Sequence, residues 1–250
     1  MFIISISSSI IVYNMIKQTY NNSAYTGLVE LLNTEVMNNY NTFIVSMAMK
    51  YVSNKCLIVD YGAGIGTLSL IFRDKFSMSP LCFEIDKVNK EYLVKRNFRL
   101  IDELSSLDSK VNLVFSSNVL EHIDDDLAVL HRMKNLIKDD GKIFLYLPGK
   151  MLLWSKLDEV LGHHRRYECN ELIRKCEQVG LKIEKLHYAE SLGFFALLVL
   201  KLFCFKRDRG IASVSSLRFY DKWLLPLSLA LDKVGFKYLF GKNIVLVAYK

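Results

Sequence analysis

Apolar residues Val36, Met37, Tyr40, Phe43, Ile44, Met47 and Ala48 recur at intervals of three and four, which predicts an amphipathic helix over Glu35–Val52. The pattern then changes. Lys55-Cys-Leu-Ile-Val-Asp-Tyr61 is a short continuous apolar run, as expected of a strand covered on both faces in a parallel sheet. A glycine-rich turn over 62–66 leads into a helical segment at Thr67–Phe76. Pro80–Asp86 reads as a second strand, followed by a helix around Val88–Val94. A weaker strand at Asn97–Ile101 precedes a strong one at Lys110–Ser116. Asp124-Asp-Asp126 supplies carboxylates for the free N–H groups that open a helix running to Ile137. Asp140-Gly141 reads as a turn into a strand at Lys142–Pro148. A helix at Glu171–Gln178 stops at Gly180, a strand follows at Leu181–Leu186, and a last strand lies at Asn243–Tyr249.

Alternation of strand and helix repeated this often predicts an α/β fold, a doubly wound and mostly parallel sheet. Such sheets bind ligands beyond the carboxyl ends of their strands, where strand order reverses. The stretch 190–240 breaks the alternation and reads as an appended helical region. Residues 1–34 read as a leader and 35–250 as one domain. Met1–Val12 is apolar enough to form a strand or a frayed leader, but it has no basic start or small-x-small cleavage site of a secretion signal.

Composition narrows the class. With 51% hydrophobic and 24% charged residues, and only 3 prolines and 12 glycines in 250, neither disorder nor a low-complexity architecture is expected. No run of eighteen uncharged apolar residues occurs, which argues against a membrane-spanning helix. Five cysteines, an odd number without Cys-x-x-Cys spacing, point to a reduced, cytoplasmic chain and no structural zinc. The net charge of +7 is local: residues 191–250 hold ten Lys/Arg against three Asp/Glu. It accompanies the most apolar stretch, Ser191–Arg207. That pairing fits peripheral contact with an anionic membrane at its inner face, or a buried helix flanked by solvating lysines.

Asp60-x-Gly62-x-Gly64-x-Gly66 carries the strongest chemistry. It stands at a strand end before a helix, where glycines let a ligand lie against backbone. A dinucleotide turn wants its third glycine at position 67, which is Thr67 here. An acid at Asp60 would also repel a pyrophosphate, so NAD is disfavoured. Glu84, at the end of the second strand, can accept both hydroxyls of a ribose. Asp86 competes for that role or caps the next helix.

These residues resemble the class I S-adenosylmethionine-dependent methyltransferases. Val59–Gly66 is similar to the cofactor loop, Phe83–Asp86 to the ribose-binding strand end, Asn118–Ile123 to the segment after the fourth strand, and Leu136–Leu145 to the turn into the fifth. The resemblance implies a seven-stranded Rossmann-like sheet with an antiparallel last strand. It implies S-adenosylmethionine as cofactor, held by Asp60, Gly62, Ala63, Gly64, Gly66, Glu84, Ile85, Asn118 and Val119. Asp102 is the nearest candidate for an adenine-contacting acid.

Gly162-His-His-Arg-Arg-Tyr167 follows the fifth strand and should overhang the carboxyl-end face. It resembles a subgroup of these methyltransferases associated with glycan and lipid-linked sugar pathways. His163, His164 and His122 are the candidate bases, and Arg165, Arg166, Tyr167 and Trp154 the candidate acceptor-binding residues. The alternative is an internal network in which Arg165 or Arg166 pairs with Asp158 or Glu159. Glu121-His122 is similar to the Glu-x-x-Glu-His motif of some metal-dependent O-methyltransferases, but Asn118 replaces the first Glu, so no metal is expected. The Asn/Asp-Pro-Pro-aromatic motif of base-modifying enzymes is absent, which disfavours nucleic acid despite a pI of 9.0. The expected function is methyl transfer to a small-molecule, sugar or lipid-linked acceptor. Its rivals are an inactive cofactor-binding protein of the same fold and an NAD-binding enzyme.

Overall fold

The computed structural model describes residues 27–53, 55–203 and 213–250. The candidate strand at Met1–Val12, most of the expected leader, and the Cys204–Arg207 end of the basic apolar run lie outside them.

In chain order the elements are helices α1 (Leu28–Thr34) and α2 (Asn38–Ala48), strand β1 (Ile58–Tyr61), α3 (Thr67–Phe76), β2 (Leu81–Phe83), α4 (Lys87–Lys95) and β3 (Val111–Ser117). There follow α5 (Asp126–Leu136), β4 (Ile137–Pro148), α6 (Lys156–Val160), α7 (Cys169–Val179), β5 (Lys182–Ala189) and α8 (Ser191–Phe203). The chain continues through α9 (Val214–Phe219), a wide turn at Tyr220–Leu224, α10 (Leu225–Lys233) and β6 (Asn243–Tyr249).

The sheet order is β2-β1-β3-β4-β6-β5. β2, β1, β3 and β4 pair in parallel, and β6 lies antiparallel between β4 and β5. The sheet is the doubly wound, mostly parallel one that the pattern predicts, and the last strand is antiparallel, as the resemblance implies. Six strands are formed among the described residues, and the seventh position shrinks to one bridge. Leu100 pairs with Cys82 on the outer edge of β2, with Cys82 N–H donating to Arg99 C=O and Ile101 N–H to Cys82 C=O, both at 2.9 Å. The expected turn at Asp140-Gly141 is instead part of an unbroken β4. A Cβ on Gly141 would stand 2.7 Å from the Val111 carbonyl, so glycine serves close strand approach where the β3–β4 register shifts.

Strand residues alternate between two cores. Val59, Val114, Ile143, Leu145 and Leu246 face Leu130, Met133 and Leu172 on one side. Ile58, Phe115, Phe144 and Val247 face Ile44, Val45 and Phe72 on the other. Caps fix where helices begin: Asp86 accepts from Asn89 N–H at 2.9 Å and Asp125 from Ala128 N–H at 3.0 Å. α2 has no cap of its own. The Asp221 carboxylate accepts from Asn39 N–H and Tyr40 N–H at 3.1 and 2.8 Å, so the helical region over 190–240 supplies that cap from a distance.

Candidate functional site

The chain reverses sides of the sheet between β1 and β3, so the crevice above their carboxyl ends is the switch point. The glycine turn lies there. Gly62 and Ala63 both donate to the Phe83 carbonyl, at 2.8 and 3.1 Å, which ties the turn to the end of β2. Gly62 has φ +77°, and a Cβ on it would stand 2.4 Å from a Val119 methyl. Gly66 has φ +84° and would meet Leu93 at 2.7 Å. Both need the left-handed region and the missing side chain. Gly64 lies beneath Leu31 of α1.

Glu84 is buried and turned towards this loop. Its Oε2 accepts from Gly64 N–H at 2.7 Å, and its Oε1 from Ile85 and Asp86 N–H at 2.8 Å. Oε1 is saturated, whereas Oε2 retains an acceptor position. Asp86 is spent as the cap of α4. Ile85, at 80% exposed, offers an apolar side chain at the rim. Asp60 is buried and accepts from the Ser69 hydroxyl at 2.6 Å. Burial pushes its carboxyl up to about 7, the Ser69 bond pulls it back in part, and the nearby charge of Glu84 raises it further. Asn118 takes a left-handed φ of 53° just past β3 and donates its N–H to Tyr146 C=O at 2.8 Å. Val119 follows against Gly62. The loop, Glu84, Asn118 and Val119 are therefore brought together. Asp102 points elsewhere, to Lys90 on the surface at 2.8 Å.

The His-His-Arg-Arg-Tyr segment lies over the turn after β3, but most of its charge is internally committed. Arg166 is buried and donates Nε to Asp158 Oδ1 at 2.7 Å. Arg165 pairs with Asp126 at 2.9 Å, and Lys175 reaches the same carboxylate at 2.7 Å. Tyr167 is fully buried with its hydroxyl on Asp126 at 2.8 Å, so its side chain is part of the core and not of an acceptor surface. Burial alone would raise the Asp126 carboxyl. Lys175 and Tyr167, followed by Arg165, outweigh it and hold the group below the usual carboxylate range. His163 Nδ1 bonds Asp158 Oδ1 at 2.9 Å, and its ring meets His122 edge to face at 4.6 Å. His164 is exposed, its N–H donated to Glu121 C=O at 2.7 Å. Trp154 is half-buried beside the exposed Met151 and Leu152.

One polar group was not anticipated. Buried Glu190 accepts from Tyr146, Tyr220, Asn243 and Lys242, and Tyr40 joins through bonds to Tyr146 and Asn118. Tyr146 and Asn243 are polar breaks in otherwise apolar strand runs, the one sequence signal that marks them. Through Tyr40 the network touches Asn118, behind the crevice.

A family model described as a methyltransferase domain matches residues 49–186. None of the curated proteins matches the sequence. Solved structures do match the fold. A structure described as a sarcosine dimethylglycine methyltransferase from Galdieria sulphuraria is 15% identical, with TM-score 0.54, over 85% of this chain and 86% of its own. A SAM-dependent methyltransferase from Archaeoglobus fulgidus is 18% identical, with TM-score 0.53, over 84% and 92%. Phosphoethanolamine N-methyltransferase 2 from Haemonchus contortus, bound to S-adenosyl-L-methionine, is 16% identical with TM-score 0.52. It matches 85% of this chain and 52% of its own.

Proposed function

The chain belongs to the methyltransferase-domain family, and from that premise we propose that it transfers a methyl group from S-adenosylmethionine to a small-molecule or lipid-linked acceptor, such as a sugar. The observation that carries the cofactor assignment is the pair of buried carboxylates, Asp60 and Glu84, flanking the glycine turn at the switch point. A dinucleotide would place its pyrophosphate near Asp60, which opposes NAD. A ligand with an amine, a sulfonium and a ribose suits them. Glu84 Oε2 has an acceptor position for a ribose hydroxyl, Ile85 gives an apolar rim for a base, and Asp60 with the Gly62–Gly66 backbone lies on the amino-acid side.

When bound, S-adenosylmethionine supplies an activated methyl group on a sulfonium, already a good leaving group. The protein's part is then alignment and exclusion of water. Gly62, packed on Val119, keeps the loop close to the end of β3, and Asn118 holds the adjoining backbone. His164, exposed on the overhanging loop, is the histidine free to meet an acceptor hydroxyl as a base; Trp154, Met151 and Leu152 form the neighbouring apolar wall. Residues 35–250 work here as one domain with 190–240 as its insertion.

The lipid-linked reading draws on the outer face of that insertion. Phe195, Val199, Leu200, Phe219, Trp223 and Leu227 are exposed, with Lys201, Arg218 and Lys222 among them. No helix among the described residues is long and apolar enough to cross a membrane. A surface both apolar and basic suits the anionic inner face of a membrane.

Calorimetric titration with S-adenosylhomocysteine tests the cofactor, on the wild type and on Glu84→Gln, which keeps one acceptor while losing the charge. Micromolar binding is expected, weakened about tenfold or more in the variant. A folded wild type that does not bind overturns the proposal. Transfer of labelled methyl into a lipid extract, and co-flotation with vesicles containing anionic lipid, test the acceptor class. Label appearing only in water-soluble acceptors would remove the lipid part.

A further inference from the structure

Helix α1 lies in the stretch that the sequence reads as a leader, yet it packs on the glycine turn. Its Leu31 rests on Gly64, where an added Cβ would stand 3.3 Å from Leu31 Cδ1. The helix has little of its own to hold it there. Seven residues are too few to be stable alone, and Gly27 at its start gives no side-chain cap. Leu28 is the one residue of α1 that is buried. Its position therefore comes from what its far end is tied to. The Thr34 carbonyl accepts from Nδ2 of the buried Asn41 at 2.9 Å, which fixes the pivot between α1 and α2.

Glu35, the residue that follows α1, sets the direction in which the helix leaves that pivot. Its Oε1 accepts from the Thr67 hydroxyl at 2.9 Å and lies 2.7 Å from Arg96 Nη1 in an ion pair. These partners stand on the two helices that frame the turn. Thr67 opens α3 directly after Gly66, and Arg96 ends α4, whose start is capped by Asp86. Arg73 of α3 donates Nη1 to the Arg96 carbonyl at 2.7 Å, so both partners belong to one joined support. The Glu35 and Arg96 side chains are 29% and 20% exposed, and water screens the pair only in part. Position 67 is where a dinucleotide turn would carry glycine, which has no hydroxyl to give. The departure from that pattern supplies the donor that Glu35 uses.

We propose that Glu35 is a positioning residue of the cofactor site: with Thr67 and Arg96 it holds α1, and so Leu31, over the glycine turn, and this hold slows the escape of the cofactor. The inference rests on the S-adenosylmethionine reading and adds to it a residue outside the loop, Glu84 and Asn118. An apolar side chain over the turn excludes water from the amino-acid side and strengthens the electrostatic contacts made there. A helix tied down beside a ligand acts on departure more than on arrival, so the effect falls on the dissociation rate.

The test compares the full chain with Glu35→Ala, Thr67→Val and Thr67→Ser, each checked for a thermal midpoint within a few degrees of the wild type. Hydrogen–deuterium exchange of the amides of α1, measured without ligand, reads the hold on the helix. Chase of labelled S-adenosylhomocysteine reads its dissociation. In Glu35→Ala exchange should quicken, and dissociation should be about three- to tenfold faster with association changed by less than about twofold. Thr67→Val should move both readouts the same way, and Thr67→Ser, which keeps the hydroxyl, should stay within about twofold of the wild type. Should Glu35→Ala not fold, the two Thr67 variants decide the matter. Faster exchange with unchanged dissociation overturns the proposal, because Glu35 would then hold the helix and not the cofactor. Unchanged values in both readouts overturn it as well. A wild type that binds no S-adenosylhomocysteine overturns the cofactor reading and this proposal with it, whereas a wild type that binds while the variants match it overturns this proposal alone.

Discussion

Asp60 is placed where folding and ligand binding ask for different things. Its carboxyl is buried with one hydroxyl donor, and burial lifts its folded-state value to about 7. An acid raised on folding costs nothing below about pH 4, where both states are protonated. The cost grows as pH rises from about 4 to 7, and it is complete above 7. Asp60→Asn should therefore come closest to the wild type near pH 3.5 and exceed it at pH 8.5, by an amount on the order of a few kcal/mol. Urea unfolding across that range reads the difference, and a variant less stable at pH 8.5 would contradict the assignment. If Asp60 faces the amino-acid end as proposed, the same variant should bind S-adenosylhomocysteine less well, because it loses the charge opposite the amine. Gly62 is the complementary case. Gly62→Ala adds a methyl 2.4 Å from Val119 and keeps φ at +77°, so a loss of roughly 2–4 kcal/mol is expected from overpacking and left-handed strain together. Adding Val119→Ala should restore only the packing share. Full recovery in the double variant would show that the backbone conformation costs nothing there.

Among elements, the segment from α6 to α7 is pinned to α5 through one carboxylate. Asp126 receives Arg165 and Tyr167 from the loop and Lys175 from α7. Its folded-state value is depressed, so its contribution is present above the unfolded value near 4 and is lost as pH falls through the folded one. Asp126→Asn is expected to cost about 1–3 kcal/mol at pH 7. The gap from wild type should narrow as pH falls below the unfolded value near 4, and thermal melts over that series would show it. A constant gap would mean the loss is one of shape and not of charge. The geometry of this segment also marks where reading the sequence reaches its limit. Strand and helix positions follow from local periodicity, and the glycine turn from spacing within seven residues, so both were legible. In the sequence Arg165 and Arg166 read either as acceptor contacts or as internal partners, and only folding decides which acids they meet. Likewise Glu121 and His164 are separated by the whole of α5 and β4, and no local pattern says that they converge. Leu100 failed as a strand for a local reason. Asp102-Glu103 and the turn at Leu104–Leu107 follow it directly, leaving one residue to pair with Cys82.

For the molecule as a whole, burial separates what the C-terminal region does for the fold from what it exposes. β6 lies inside the sheet, its register with β4 running from Pro148↔Asn243 to Ile143↔Ala248, a pairing that must close a loop of nearly a hundred residues. Ile244, Val245, Leu246 and Val247 are all at most 2% exposed. At about 1.5–3 kcal/mol each, their burial amounts to about 6–12 kcal/mol. That is comparable to the entire stability of a domain, about 5–15 kcal/mol. Ending the chain at Lys242 would remove this and leave β4 and β5 with unpaired edges, so no cooperative thermal transition is expected from that variant by circular dichroism. The outer face of α8 behaves differently. Phe195, Val199 and Leu200 are 43–53% exposed, so replacing all three by serine should change unfolding stability by only about 0.5 kcal/mol per site. If the triple variant melts like the wild type and no longer floats with anionic vesicles, the face serves contact with a surface and not the core. If it unfolds several kcal/mol sooner, the apolar face belongs to the folded core after all, and the membrane reading loses its support.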